Sequence, residues 1–177
     1  MNSFNPVNKT CYFRLDKYSC YMRAHGVCSL NGISIQDLMK QDTKQLCREN
    51  SIDYCRNIAK ILMTTGFCSD VLAYYCTDCD HFEFADGQHR VCVTAKLSRK
   101  GFNVRLNTVL KVNEGTKCRW CLMQEKYDRE YKKFNLFQKL FKTKKYMKYI
   151  KDKDDFYLRE FITKLWCIIN EENKCPN

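Results

Sequence analysis

Proline and glycine are scarce in this chain, two and six among 177 residues. That excludes collagen-like repeats and Pro/Gly-rich low-complexity sequence. With aromatic residues at 14% and hydrophobic residues at 45%, it also excludes a disordered chain, which lacks the side chains that offset ordering entropy. No apolar run approaches 18 residues, so no membrane span is expected. The opening residues Met1 to Pro6 carry neither a basic start nor an apolar stretch. No secretory signal is therefore expected, and the expected location is intracellular, nucleus and/or cytoplasm. Phosphate-cradling glycine loops are missing, and no His-x-Glu accompanies a Cys-x-x-Cys as in a zinc deaminase. A Cys and His nucleophile pair drawn from thirteen cysteines and three histidines is arbitrary. An enzyme is not expected, and neither is a small-molecule substrate.

Cysteine is what the chain has in excess. Thirteen is an odd number and several times ordinary usage. In a reducing compartment such cysteines bind metal or pack as small hydrophobes more often than they form bridges. Two pairs have metal-ligand spacing, Cys76-Thr77-Asp78-Cys79 and Cys118-Arg119-Trp120-Cys121, with 38 residues between them. Each pair can aim two thiolates from one tight turn, and two such turns make a tetrahedral zinc site of Cys76, Cys79, Cys118 and Cys121. Such a site has no open position, so it is structural. Lys117 and Arg119 suit a doubly negative tetrathiolate, whereas Asp80 stands where a zinc knuckle usually has glycine. His81, His89 and Cys92 are reserve ligands. The competing reading makes Cys118 and Cys121 a redox dithiol at a helix start, although the βαβ setting of a thioredoxin-like site is missing.

The first 33 residues hold Cys11, Cys20, His25 and Cys28 at a spacing that matches no standard motif. A second metal site combining some of these with Cys47 or Cys55 is the alternative to buried free thiols, and Cys47 and Cys55 are read first as core residues on helix faces. Spacing gives no role to Cys68, Cys167 or Cys175. Ser34 to Asp37 has the form of a capping box and predicts a helix over 35–48, with Ile35, Leu38, Met39 and Leu46 inward. Ser51 starts a second helix with Ile52, Cys55, Ile58, Ala59 and Leu62 on its apolar side, ended by Gly66.

The run 71–75 is ambiguous between strand and helix. Residues 81–84 and 89–95 read as a hairpin around Asp86-Gly87, and 102–112 alternate as a strand, so a three-stranded antiparallel sheet framed by the cysteine pairs is expected. An aromatic stripe from Leu122 to Phe141 predicts a helix. A basic connector over 143–153 and a last helix from Asp154 or Asp155 follow.

Net charge is +11, and more than half of the excess lies beyond residue 125, where fourteen basic residues face eight acidic ones. A basic surface attracts nucleic acid, an acidic protein or an anionic membrane face. The candidates for polyanion contact are Arg119, Lys132, Lys133, Lys142, Lys144 and Lys145, and the run 142–145 has the form of a weak nuclear import signal. The commoner reading makes the stripe core and the lysines a solvated face.

The fold class expected is α+β: an elaborated zinc ribbon over 67–121 between an N-terminal helical part, 1–66, and a basic helical part, 122–177, in one domain. From residue 76 to residue 121 the paired Cys-x-x-Cys knuckles resemble the early regulatory zinc-finger proteins of large insect DNA viruses, baculoviruses in particular. The resemblance implies a non-enzymatic factor acting in the infected cell, either on viral gene expression in the host nucleus or on a host defence. The function expected is a zinc-stabilised, DNA- or RNA-binding regulator of transcription or a related process. The alternative is a protein–protein interaction factor, a host-factor antagonist whose charge keeps it soluble.

Overall fold

Alternation along short strands sorts the side chains of this chain onto two faces of one sheet. The computed structural model describes residues 2–44 and 47–164. Its strands are β1 (Asn2–Phe4), β2 (Thr10–Phe13), β3 (Val71–Cys76), β4 (His81–Phe84), β5 (Leu106–Asn113) and β6 (Phe161–Lys164). Their spatial order is β1-β5-β3-β4-β2-β6. The helices among the described residues are α1 (Tyr21–His25), α2 (Ile35–Met39), α3 (Ile52–Thr64), α4 (Gln88–Arg99), α5 (Arg119–Lys132), α6 (Leu136–Leu140) and α7 (Lys144–Arg159). The class is α+β, as expected.

The sheet itself is mixed, which corrects the expected antiparallel one. β3 pairs antiparallel with β4, but parallel with β5, and β2 pairs parallel with β4. The cause lies in residues 89–95, which the sequence presents as a strand and the chain folds as the first part of α4. Val91, Val93, Thr94, Ala95, Lys96 and Leu97 are all buried, so the helix is enclosed on several sides and shows no one-sided periodicity. With a helix in that place the chain crosses over the sheet, and β5 returns alongside β3 in the same direction. Asp86-Gly87 accordingly leads into a helix start rather than closing a hairpin, with Gly87 as N-cap at φ 66°.

Cys11, Phe13, Val71, Ala73, Phe82 and Phe84 point to one face, where Ile58, Ala59 and Leu62 of α3 and Val91, Ala95 and Leu97 of α4 cover them. Each fully buried side chain of this size contributes about 1.5–3 kcal/mol relative to exposure, so a one-residue slip of any strand is strongly disfavoured. The residues between them, Tyr12 on β2 and Cys76 on β3, turn to the opposite face, where they join Cys118 and Trp120 at the start of α5.

Several expected helix limits move. The helix over 35–48 stops at Met39. Its capping box is present, the Asp37 amide donating to Ser34 Oγ at 3.1 Å, but the Asp42 carboxylate then accepts from the Lys44 amide at 2.9 Å in place of a helical carbonyl. Leu38 is buried, Ile35 and Met39 are exposed, and Leu46 lies outside the described residues. α3 matches its expectation and ends at Gly66, whose amide reaches the Ile61 carbonyl at 2.8 Å. The connector over 143–153 is helical as part of α7. The helix expected from Asp154 instead ends at Arg159, and 161–164 form β6 against β2.

Glu160 explains that break. It is extended, with φ −125° and ψ 144°, and only 3% exposed. Tyr12 Oη donates to its carboxylate at 2.6 Å, and the Arg119 guanidinium lies 3.1 Å away. Burying a carboxylate without partners is prohibitive, so this site holds the chain where two donors converge.

An alanine Cβ at Gly87 would lie 2.5 Å from Val71 Cγ2 in a left-handed backbone, while Gly101, also left-handed, has nothing within 4 Å. Gly87→Ala is expected to lose about 2–4 kcal/mol of unfolding free energy and Gly101→Ala about 1 kcal/mol, read from urea titrations.

Candidate metal centre

β3 ends on Cys76, the turn 77–80 follows, and β4 begins on His81. Because Cys76 and His81 are directly paired across the antiparallel ladder, both face away from the helical core. The turn closes through the Cys79 amide to the Cys76 carbonyl at 3.4 Å. Asp80 adopts the left-handed conformation that glycine usually supplies, at φ 53°, and its Oδ1 accepts from Tyr75 Oη at 2.9 Å. That hydrogen bond is the local compensation for the missing glycine.

The second knuckle is stitched to the first. The Asp78 amide donates to the Thr116 carbonyl at 3.1 Å, the Thr77 amide to the Asn113 carbonyl at 3.3 Å and the Gly115 amide to Thr77 Oγ1 at 2.9 Å. Cys118 is the N-cap of α5 and Cys121 lies in its first turn. The Cys118 amide donates to Cys79 Sγ at 3.2 Å, and the Arg119 amide to Glu83 Oε2 at 3.2 Å. Amide donation to sulfur and a helix N-terminus both favour thiolate.

Four donors converge here. The ligand atoms of Cys79, His81, Cys118 and Cys121 all lie within 4.8 Å of one another. His81 Nδ1 is 3.3 Å from Cys118 Sγ and 3.4 Å from Cys121 Sγ. Around a tetrahedral ion with metal–nitrogen and metal–sulfur bonds of about 2.05 and 2.3 Å, such pairs stand about 3.5 Å apart. The residues fit a four-coordinate ion closely. Burial holds the His81 pKa below its ordinary value, against the opposing effect of Asp80, which leaves the ring neutral and its lone pair free. Burial pushes the Cys118 and Cys121 thiols up, so without a cation these two stay protonated.

The sequence placed Cys76 in this group and His81 in reserve; the converging set has His81 and lacks Cys76. Cys76 lies beside the site, fully buried with Tyr12 and Cys118. Burial raises the pKa of its thiol. The other reserve ligands, His89 and Cys92, sit on α4 across the sheet. Lys117 is paired with Glu125 rather than facing the sulfurs.

Among the polyanion candidates, Arg119 is tied to Glu160, whereas Lys132, Lys133, Lys142, Lys144 and Lys145 are exposed and enter no ion pair among the described residues. The aromatic stripe divides. Tyr127, Phe134, Tyr149 and Phe156 form a core between α5 and α7, with Tyr127 Oη donating to the Asp152 carbonyl at 3.0 Å. Leu136, Phe137, Leu140 and Phe141, on and just after α6, are 62–72% exposed. No signal in the sequence separated these two halves, because both repeat at helical spacing.

No protein-family model, curated protein or solved structure matches the chain.

Removing His81 should separate it from Cys76. His81→Ala is expected to remove one bound metal ion, the one held with Cys79, Cys118 and Cys121, from native mass spectra, with His81→Cys restoring it. Cys76→Ala should keep the metal and lose only about 1–3 kcal/mol of stability for the lost packing.

Proposed function

We propose that this chain is a non-enzymatic, zinc-stabilised binding protein that regulates transcription or a related nucleic-acid process. Three thiolates and an imidazole are a donor set that zinc favours, and a filled tetrahedron leaves no position for a substrate or an activated water. The ion would join the turn 77–80, β4 and the start of α5, which places α5 and the helices after it. Its binding free energy would count as folding free energy. Cys118 and Cys121 would then be ligands, not a redox dithiol. The resemblance to early regulatory zinc-finger proteins of insect DNA viruses agrees with this reading and would place the protein in the nucleus or cytoplasm of an infected cell.

The observation that carries the nucleic-acid part is the set of five exposed lysines, Lys132, Lys133, Lys142, Lys144 and Lys145, that enter no ion pair among the described residues and flank α6 in the chain. Each that neutralises a phosphate releases counterion and adds about 0.9 to the slope of log affinity against log salt on duplex DNA. Of the tyrosines available for stacking on bases, Tyr127 and Tyr149 are buried and Tyr146 is partly buried, whereas Tyr131 is exposed.

A specific observation favours the second reading, an interaction protein that antagonises a host factor. The exposed Leu136, Phe137, Leu140 and Phe141 form an apolar surface of the kind that marks protein contacts.

Charge reversal of Lys132, Lys133, Lys144 and Lys145 to glutamate is expected to lower affinity for duplex DNA or RNA at least tenfold and to flatten its salt dependence, measured by fluorescence anisotropy. No binding by the wild-type chain at low salt overturns the nucleic-acid reading. Capture of a cellular protein that survives nuclease and is lost in Phe137→Ser/Phe141→Ser would establish the other.

A further inference from the structure

The geometry points to a second metal centre on the opposite face of the sheet, held by Cys20, Cys28, Cys55 and Cys92 with His89 beside it. These residues come from four separate places in the chain. Cys20 is the N-cap of α1, Cys28 lies in the loop after it, Cys55 is in the first turn of α3, and His89 and Cys92 are near the start of α4. All five line one nearly closed cavity, whose other walls include Phe13, Leu15 and Phe161. Its volume is about 30 Å³, room for a single water-sized occupant and too little for an organic ligand.

Thiols in such a place have two fates. Buried free cysteines pack as small hydrophobes and need no charged neighbour. This cavity has charged neighbours. Lys96 is 7% exposed, its Nζ donates to Asn31 Oδ1 at 2.8 Å, and it meets no carboxylate in an ion pair among the described residues. A buried ammonium without an anionic partner is costly. It is accounted for if the sulfurs beside it are thiolates, since a tetrathiolate around a divalent ion carries two negative charges.

All four cysteines border the same small cavity, so a cation at its centre would be shared among them. His89 Nδ1 lies 3.3 Å from Cys55 Sγ, so the imidazole is the alternative fourth donor if one thiol stays out. This set is wider than the first centre, whose donors lie within 4.8 Å of one another, and occupation would draw the side chains inward.

The test counts metal. The full chain purified from zinc-supplemented medium is expected to carry two zinc ions in native mass spectra. Cys55→Ser/Cys92→Ser should carry one, and His81→Ala should also carry one, from the other centre. Because loss of two core thiols can unfold the chain, cobalt(II) titration of the metal-stripped wild-type protein is the second measurement. Two equivalents with thiolate-to-cobalt charge-transfer absorption are expected. Saturation at one equivalent that is lost in His81→Ala overturns the second centre and leaves the first standing, saturation at none overturns both, and a disulfide mapped between two of Cys20, Cys28, Cys55 and Cys92 overturns the second centre as well.

Discussion

The pairing of Cys76 with His81 across β3 and β4 is the constraint on which the candidate site depends. It turns the His81 ring to the face away from the helical core, where the first turn of α5 brings Cys118 and Cys121 within 3.4 Å of its Nδ1. Three covalently distant segments meet there: the turn after β3, the beginning of β4 and the beginning of α5. Hydrogen bonds between the two knuckles hold the approach, but with the Cys118 and Cys121 thiols protonated little else binds the four donors together. A cation converts the same geometry into a strong joint between sheet and helix.

A second joint lies close by. Glu160 takes a hydrogen bond from Tyr12 on β2 and an ion pair from Arg119 at the start of α5, and Arg119 in turn directly follows Cys118. The end of α7 is thereby fixed to the helix that carries two of the candidate ligands, and β6 can pair with β2. Trp120 packs on Phe156 and Tyr157 over the same junction, with ring centroids 5.5 and 5.0 Å apart. The basic, apolar region around α6 is presented by this assembly rather than buried in it. α6 itself rests on a local capping box between Asn135 and Gln138, which explains how five residues hold a helical turn while leaving their apolar side chains in solvent.

Much of this was legible in the residues, and what was not has identifiable causes. The α+β class, α3 with its Gly66 stop, and the approach of Cys79 to Cys118 and Cys121 followed from spacing, caps and periodicity. The choice of His81 over Cys76 did not, because two neighbouring donors flank one turn and only the strand register decides which one reaches the second knuckle. α4 was hidden by its own burial: a helix enclosed on several sides by β-branched residues looks like a strand. The end of α7 was hidden because Glu160 is set by Tyr12, 148 positions away, and no local pattern encodes that contact. The aromatic stripe after Cys121 was visible, but its division into a buried half on α5 and an exposed half on α6 depends on which residues α7 reaches.

The central claim is that one ion joins Cys79, His81, Cys118 and Cys121. Cadmium-113 substitution with proton correlation NMR addresses it directly, since scalar coupling passes only through metal–ligand bonds. The account predicts one cadmium resonance coupled to the β-protons of Cys79, Cys118 and Cys121 and to the ring protons of His81. A resonance coupled to Cys76 in place of His81, or no resonance shared by the two knuckles, would contradict it.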